Sequence, residues 1–190
     1  MAGKLLLRLG PSGSGKGTII TYIKQKFPNF VFPASFTTRV KRPNEINDEV
    51  YHFISQEEFQ NKINNNEFLE WAIVHEDNYY GTDKKTINEG ITAGKIVVRE
   101  VDIQGVESIW QKMGKENVIT VFITTTTWED LKRRILGRAQ MDEDDLIKRE
   151  RSYIKEMEFS KKCDYIVASE FGKIDQAYKD IDTIIQKIIA

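Results

Sequence analysis

Nine consecutive residues concentrate the chemistry of this chain: Gly10-Pro11-Ser12-Gly13-Ser14-Gly15-Lys16-Gly17-Thr18. Spaced glycines let a backbone curl so that successive N–H groups converge on one anion, and a lysine closing such a turn reaches the outer phosphates of a nucleoside triphosphate. Thr18 adds a hydroxyl beside the phosphates or their metal. A loop of this kind needs a strand before it and a helix after it. The run Leu5-Leu6-Leu7-Arg8-Leu9 has strand character, and residues 19–26 carry a helical pattern. The new helix brings free N–H groups and its positive dipole end. The strict motif has Ser or Thr directly after the lysine. Gly17 stands there instead, which suggests magnesium held more through water and phosphate oxygens than by a first-position hydroxyl. The bland alternative is a flexible glycine turn with a solvated lysine, and the flanking strand and helix argue against it.

A second anion-binding stretch follows at Ser35-Phe36-Thr37-Thr38-Arg39-Val40-Lys41-Arg42-Pro43. Arginine forks match phosphate oxygens bidentately, where lysine offers a point charge. With Tyr51 and Tyr80 on nearby strand-like segments, this stretch is suited to a second phosphate group. An Arg-x-x-Arg pair alone fits an exposed basic loop equally well.

The elements that must position these groups alternate. Residues 4–9 read as a buried strand and 16–26 as a helix. Residues 51–54 read as a strand, and Ser55 with Glu58 forms a capping-box signature opening a helix over 56–64. Residues 68–74 and 78–80 are strand-like, so 30–82 forms a strand-rich lobe without repeating βαβ units. Helices are then predicted at 83–93, 103–112 and 127–137, the last with Thr127 as N-cap, alternating with strands at 96–101 and 118–123. Residues 138–162 are highly charged without a strand candidate. A strand at 165–167 and an amphipathic helix at 173–189 close the chain. This order predicts an α/β, three-layer fold with a mostly parallel central sheet flanked by helices. Ligands in such folds sit beyond the C-terminal strand ends, where the 10–18 loop, Asp102 and the loops after Ile123 and Val167 fall.

Composition narrows the classes further. A length of 190 residues fits one domain with a substantial core, and a formal net charge of −1 gives no field for general nucleic-acid or membrane binding. Cys163 is the only cysteine, which excludes an internal disulfide and a cysteine zinc cluster. His52 and His75, the only histidines, lack a nearby metal-ligand partner and read as structural or exposed. Met1-Ala2-Gly3-Lys4 leads straight into the first strand, and no apolar run approaches the ~20 residues of a membrane span, so a cytoplasmic protein is expected. A monomer and a homodimer are both compatible with the sequence.

Six blocks occur in register: Gly10-Pro11-Ser12-Gly13-x-Gly15-Lys16, Ser35-x-Thr37-Thr38-Arg39-x-x-Arg42, Tyr51-x-Phe53, Phe68-Leu69-Glu70-Trp71-Ala72, Asn78-Tyr79-Tyr80-Gly81-Thr82 and Val101-Asp102-Ile103-Gln104-Gly105-Val106. Together, over about residues 3–186, the chain resembles the guanylate kinases, P-loop nucleoside monophosphate kinases that make GDP from GMP and ATP. The resemblance implies a phosphotransferase acting on GMP and on dGMP, with ATP as co-substrate and Mg2+ as cofactor. It implies a core of residues 1–29, 83–137 and 163–190, a GMP-binding lobe at 30–82 and a helical lid at about 138–162. Carried over by position, Lys16 contacts the triphosphate within the 10–18 loop. Arg39 and Arg42, helped by Tyr51 and Tyr80, take the GMP phosphate. Ser35, Glu70 and Thr82 address guanine, Asp102 lies at the junction of the nucleotide sites, and Arg138 and Arg149 resemble the lid arginines. Lys16, Arg42, Arg138 and Arg149 are thus the implied catalytic group. No residue is assigned as a direct metal ligand, with Thr18, Glu100 and Asp102 nearest to that role.

The chemistry agrees with this carry-over. A spread-out phosphoryl-transfer transition state needs in-line positioning and cations more than a strong base. Guanine presents N1–H and N2–H side by side, and one carboxylate accepts from both; adenine offers neither at those places. Each role has a plain alternative. Glu70 between Leu69 and Trp71 in an alternating strand could face water, and Arg138 and Arg149 among Lys132, Arg133, Arg134, Lys148 and Arg151 could line a solvated helix face. Trp71, Tyr79 and Phe53 read as packing residues. Three positions depart from the family pattern: Glu100 in Glu100-Val101-Asp102 for a shorter carboxylate, Ser169-Glu170 for Asn-Asp beside adenine, and Ala139 for Gly or Asn. The competing class is a guanylate-kinase-like scaffold that binds peptides without catalysis, which need not retain Lys16, the glycines or the Arg39–Arg42 pair. A kinase for another nucleoside monophosphate is the nearer rival, and Glu70 argues against it.

Overall fold

The computed structural model describes residues 3–43, 45, 50–74, 78–137 and 141–189. In chain order the elements are β1 (Lys4–Leu9), α1 (Lys16–Lys26), β2 (Ser35–Thr37), β3 (Tyr51–Phe53), α2 (Gln56–Asn64), β4 (Phe68–Val74), β5 (Asn78–Asp83), α3 (Lys84–Thr92), β6 (Ile96–Glu100), α4 (Ile103–Met113), β7 (Val118–Thr124), α5 (Trp128–Leu136), α6 (Glu143–Ser160), β8 (Tyr165–Ala168) and α7 (Ile174–Ile189), with a 3-10 turn at Lys115–Asn117 before β7. The fold is mixed α/β with parallel strand pairing and helical cover. It divides into two compact units, one comprising Met1–Leu6 with Asn29–Val118 and the other Leu7–Pro28 with Ile119–Ala190.

In the first unit a mixed sheet runs in the order β3-β2-β5-β4, parallel between β2 and β3 and antiparallel elsewhere. Its β4–β5 register sets Glu70 opposite Thr82, just past an irregularity between Phe68 and Glu70. The capping box holds as expected: Ser55 accepts from the Glu58 N–H at 3.1 Å and the Glu58 carboxylate takes the Ser55 N–H at 2.8 Å. That box aims α2 so that Phe59, fully buried, meets the rings of Phe68 at 4.5 Å and Tyr79 at 5.3 Å. Gly81 passes directly over those rings, and a Cβ there would come within 2.8 Å of Phe68. The α3, β6 and α4 segment completes the unit, with β6 beside the opening residues of β1 through Lys4 N–H to the Lys95 carbonyl at 3.1 Å.

In the second unit the strands run β1-β7-β8, with β7 and β8 parallel from Val121–Tyr165 to Thr124–Ala168. Asp164 locks the start of this pair by accepting from the Thr120 N–H at 2.8 Å and hydroxyl at 2.6 Å. Ala177, Ile181, Ile184, Ile185 and Ile188 lie at helical spacing on α7 and all are buried, one apolar stripe on an otherwise polar helix. Tyr22 of α1 stacks on Tyr178 with centroids 4.0 Å apart and donates to Asp182 at 2.8 Å, fastening α7 to α1. The charged segment after α5, where the sequence offers no strand, holds the 18-residue α6, capped by Asp142 accepting from Asp145 N–H. No helix among the described residues is long and apolar enough to cross a membrane.

Two short elements exceed the sequence reading. The basic stretch begins with β2, and β5 runs three residues further, to Asp83. Both extensions carry the candidate base-reading residues into the sheet: Ser35 opens β2 and Thr82 lies near the end of β5.

Candidate functional site

The glycine loop adopts the geometry its residue types imply. Gly10, Gly13 and Gly15 have φ of 135°, 92° and 98°, in the region that side chains disfavour. Gly10 also passes so close to β7 that a Cβ would sit 2.0 Å from the Ile123 carbonyl oxygen. Ser14 N–H bonds the Pro11 carbonyl at 3.1 Å, closing the turn, and α1 begins at Lys16. Lys16 Nζ donates to the carbonyls of Gly10 at 2.7 Å and Pro11 at 3.0 Å, which holds its charge over the loop mouth. Beneath it, buried Arg8 donates to the Lys16 carbonyl. The Ser14 hydroxyl is fully buried without a hydrogen-bond partner among the described residues, a donor that a bound anion or water would satisfy. Ser12, Gly17 and Thr18 are exposed. Nothing lies within 4 Å of a Cβ placed at Gly17, and its φ is outside the left-handed region. Gly17→Ala is therefore expected to stabilise the protein by about 0.5–1 kcal/mol through helix propensity, read as a rise in Tm; a fall would show a packing constraint the geometry does not contain.

Beside the loop, the structure brings in a residue that sequence reasoning passed over as solvated charge. Arg134 of α5 donates to the Ser169 carbonyl, and both side chains approach Gly15, with Arg134 Nη1 3.5 Å and Ser169 Oγ 2.6 Å from a Cβ built there. Ser169 is buried and Glu170 half-buried. Arg149 is half-buried on α6; Arg138 and Ala139 lie outside the described residues, as does His75.

In the first unit, Ser35, Glu70 and Thr82 come together, all three buried. The Thr82 hydroxyl donates to Glu70 Oε1. The fourth member is Arg99 of β6, which the sequence reading did not single out. Its Nε donates to Thr82 Oγ1 at 2.8 Å, Nη1 to the Pro33 carbonyl at 3.1 Å, and Nη2 to Ser35 Oγ. The available signal was a cation directly after the buried apolar run Ile96-Val97-Val98, still within the strand. Glu70, 8% exposed, does not face water. Burial pushes its carboxyl above the ordinary range; the Thr82 hydroxyl, the Arg99 charge and Lys112 of α4 oppose that push, and Asp102 adds to it. Asp102 caps α4 by accepting from Gly105 N–H at 2.7 Å, and a Cβ on Gly105 would lie 3.3 Å from Glu70 Oε2. Glycine there leaves the carboxylate's second oxygen uncovered.

A raised carboxyl binds its proton more tightly folded than unfolded. Its favourable contribution is thus complete below the unfolded value, about 4.3, and is lost as pH rises through the folded one. Melting the wild type and Glu70→Gln from pH 7 to pH 5 should show the wild type gaining on the variant as pH falls. A constant gap would mean Glu70 is not perturbed.

A third cluster surrounds Arg39. Its guanidinium lies 5.3 Å from the Tyr51 ring and 5.4 Å from Phe53, has Tyr80 beside it, and grips the Glu45 carboxylate at 3.0 and 2.6 Å. Arg42 is exposed and joins through its backbone N–H, 2.8 Å from the same carboxylate. Glu45 holds Arg39 above its ordinary value, and Arg39 holds Glu45 below its own. Tyr51 is pushed up by burial. A carboxylate thus sits in the fork where a phosphate would fit. Among the described residues no three His, Cys, Asp or Glu side chains converge as a metal site, and Glu100 and Asp102 are both exposed residues. Beside the glycine loop, the exposed Thr18 in the first turn of α1 offers a hydroxyl that suits an ion carried by phosphate oxygens and water.

The family and relative comparisons point to guanylate kinases. The profile described as Guanylate kinase matches residues 2–188. The guanylate kinase of Helicobacter pylori (strain ATCC 700392 / 26695) is 40% identical over 166 residues, 87% of this chain and 79% of that protein. The guanylate kinase of Thermotoga maritima is 39% identical over 170 residues, 90% of this chain and 81% of that one. The crystal structure of guanylate kinase from Anaplasma phagocytophilum superposes with a TM-score of 0.73 at 26% identity, over 98% of this chain and 86% of that one.

Proposed function

The chain belongs to the guanylate kinase family, and from that premise we propose how its own residues carry the reaction. The enzyme transfers the γ-phosphoryl group of ATP to GMP, giving ADP and GDP. The single observation that carries the residue assignment is the buried trio of Glu70, Thr82 and Ser35 tied together by half-buried Arg99, polar groups too costly to bury without a task or full internal pairing. Glu70 accepts from guanine N1–H and N2–H through the oxygen left open above Gly105, and Ser35 and Thr82 orient the base. The GMP phosphate takes the Arg39 fork in place of Glu45, with Tyr51, Tyr80 and the Arg42 guanidinium around it.

The glycine loop binds the ATP phosphates through its N–H groups, the α1 N-terminus and Lys16. Lys16 leaves its carbonyl partners for the β- and γ-phosphates. Bound with ATP, Mg2+ offsets phosphate charge and fixes phosphate geometry. The exposed Thr18, in the first turn of α1, would hold part of its water shell. Arg134 and Ser169 flank the loop where the rest of ATP extends. Residues 138–162 serve as a lid bringing Arg138 and Arg149 to the transferred group, residues 30–82 as the GMP lobe, and the rest as the core. The compartment is the cytoplasm.

A coupled ADP-release assay across GMP, dGMP, AMP, CMP and UMP tests this reading. GMP should give the highest kcat/KM, with dGMP following and AMP far behind. AMP or UMP exceeding GMP would overturn the guanine assignment, and no turnover with any of them would favour the scaffold class.

A further inference from the structure

If Glu70 takes guanine N1–H and N2–H, as proposed above, it does so as a carboxylate. Protonation would turn one acceptor oxygen into a donor and remove the charge that strengthens the remaining bond. The pocket works against that charge: Glu70 is 8% exposed, and burial drives its carboxyl towards the neutral form. Thr82 faces it from β5, Arg99 from β6, and Asp102 and Lys112 from the N-cap and last turn of α4. Asp102 is a second anion and pushes the same way as burial. Lys112 is exposed to water and bonded to the Leu69 carbonyl. Arg99 is placed differently. Its Nε donates at 2.8 Å to Thr82 Oγ1, the same oxygen that is hydrogen-bonded to Glu70 Oε1. One hydroxyl oxygen therefore bridges cation and anion. Nη1 on the Pro33 carbonyl at 3.1 Å and Nη2 on Ser35 Oγ hold the guanidinium in that position. A guanidinium keeps its proton at any working pH, so the charge is permanent as well as fixed.

We infer that Arg99 is a positioning residue for base recognition: held against Glu70 across the Thr82 hydroxyl, its fixed charge keeps the carboxylate in the acceptor form that guanine requires. The inference rests on Glu70 reading the base. Arg99 acts through Glu70 rather than on the nucleotide, since each of its nitrogens already meets a protein oxygen. An opposite charge within about 4–6 Å is worth about ten- to a thousandfold in the ratio of ionised to neutral carboxyl. Without it, only the Thr82 hydroxyl and Lys112 oppose burial and Asp102, and Glu70 takes up its proton at a higher pH.

The test measures kcat/KM for GMP from pH 6 to pH 8.5 in wild type, Arg99→Gln, Arg99→Lys, Glu70→Gln and the Arg99→Gln/Glu70→Gln double variant. Each Arg99 variant is divided at every pH by the enzyme that keeps Arg99 on the same background, which cancels the titration of GMP and of other groups. For Arg99→Gln we expect a ratio that climbs about tenfold from pH 6 to pH 8.5, as the more basic Glu70 loses its proton. Arg99→Lys keeps a cation and should hold its ratio level across that range, whatever constant loss the missing fork causes. On the Glu70→Gln background the ratio for Arg99→Gln should also be level, because no carboxyl is left to titrate. A level ratio for Arg99→Gln, an equal climb for Arg99→Lys, or a climb that survives Glu70→Gln would make Arg99 merely structural and overturn the inference. Should Arg99→Gln not fold, Arg99→Met continues the apolar run Ile96-Val97-Val98 with a neutral chain, and the same ratios decide. The base-reading assignment fails separately: Glu70→Gln would then cost GMP and AMP equally, a comparison that contains no Arg99 variant.

Discussion

Lys16→Ala is expected to lower phosphoryl-transfer turnover by about 10²–10³-fold while the protein stays folded. The loop's N–H groups and the α1 N-terminus remain in the variant and still draw phosphate, so ATP binding should weaken less than turnover does. What disappears is the one mobile cation of the loop, whose Nζ is held over the mouth by the Gly10 and Pro11 carbonyls. A preorganised donor aimed at charge that develops in the transition state is worth roughly 3–4 kcal/mol when deleted, which sets the fold-change. The structural cost is smaller. Pro11 O keeps its bond from Ser14 N–H, and the conformation rests on three glycines rather than on the lysine. A net loss of about 1 kcal/mol, a few degrees in Tm, is expected. Stopped-assay turnover beside thermal melting checks both, and near-wild-type turnover in a variant with unchanged melting would remove Lys16 from the reaction.

Glu70→Gln is expected to reduce kcat/KM for GMP about 10- to 100-fold and to touch AMP far less. Size and burial are retained, and the Thr82 O–H can still donate to the remaining carbonyl oxygen. The new amide N–H₂ faces a guanine donor where the carboxylate accepted two. Leaving such a donor unpaired in a buried site costs about 1–3 kcal/mol, more where a charge was involved. Because anchoring the base also places the phosphate, the loss should be visible in kcat/KM rather than in KM alone. ATP affinity should hardly change. Equal losses with GMP and AMP would make Glu70 a structural carboxylate.

The phosphate loop was legible from nine adjacent residues because its chemistry is local: the glycines, the lysine and the helix start are consecutive in sequence as in space. Helix ends marked by caps were legible for the same reason, as Ser55 with Glu58 and Thr127 with the Asp130 N–H show. Three residues of β2 in a basic stretch carry no usable periodicity, so that strand exists through its pairing with β3 and β5 and not through propensity. Arg99 was hidden by the same non-locality. Its hydroxyl partners lie 17 and 64 positions away, and nothing adjacent to it in the sequence marks it as paired. Arg134 was one cation in a charged helix until Ser169 appeared beside it.

The Glu45 carboxylate in the Arg39 fork makes occupancy of that fork an exchange of anions. The tethered carboxylate matches the guanidinium with two charge-assisted bonds, which a monoanion without a second matched oxygen, such as chloride, cannot reproduce. A phosphate monoester arrives with a charge of about −1.5 to −2 at pH 7 and more acceptor oxygens, and wins on valence. Arg39 keeps Glu45 ionised well into acid, so the contest changes when the monoester, not the protein, takes up a proton near pH 6. On the proposed assignment of Arg39 to the GMP phosphate, the fork would favour a dianion over a monoanion.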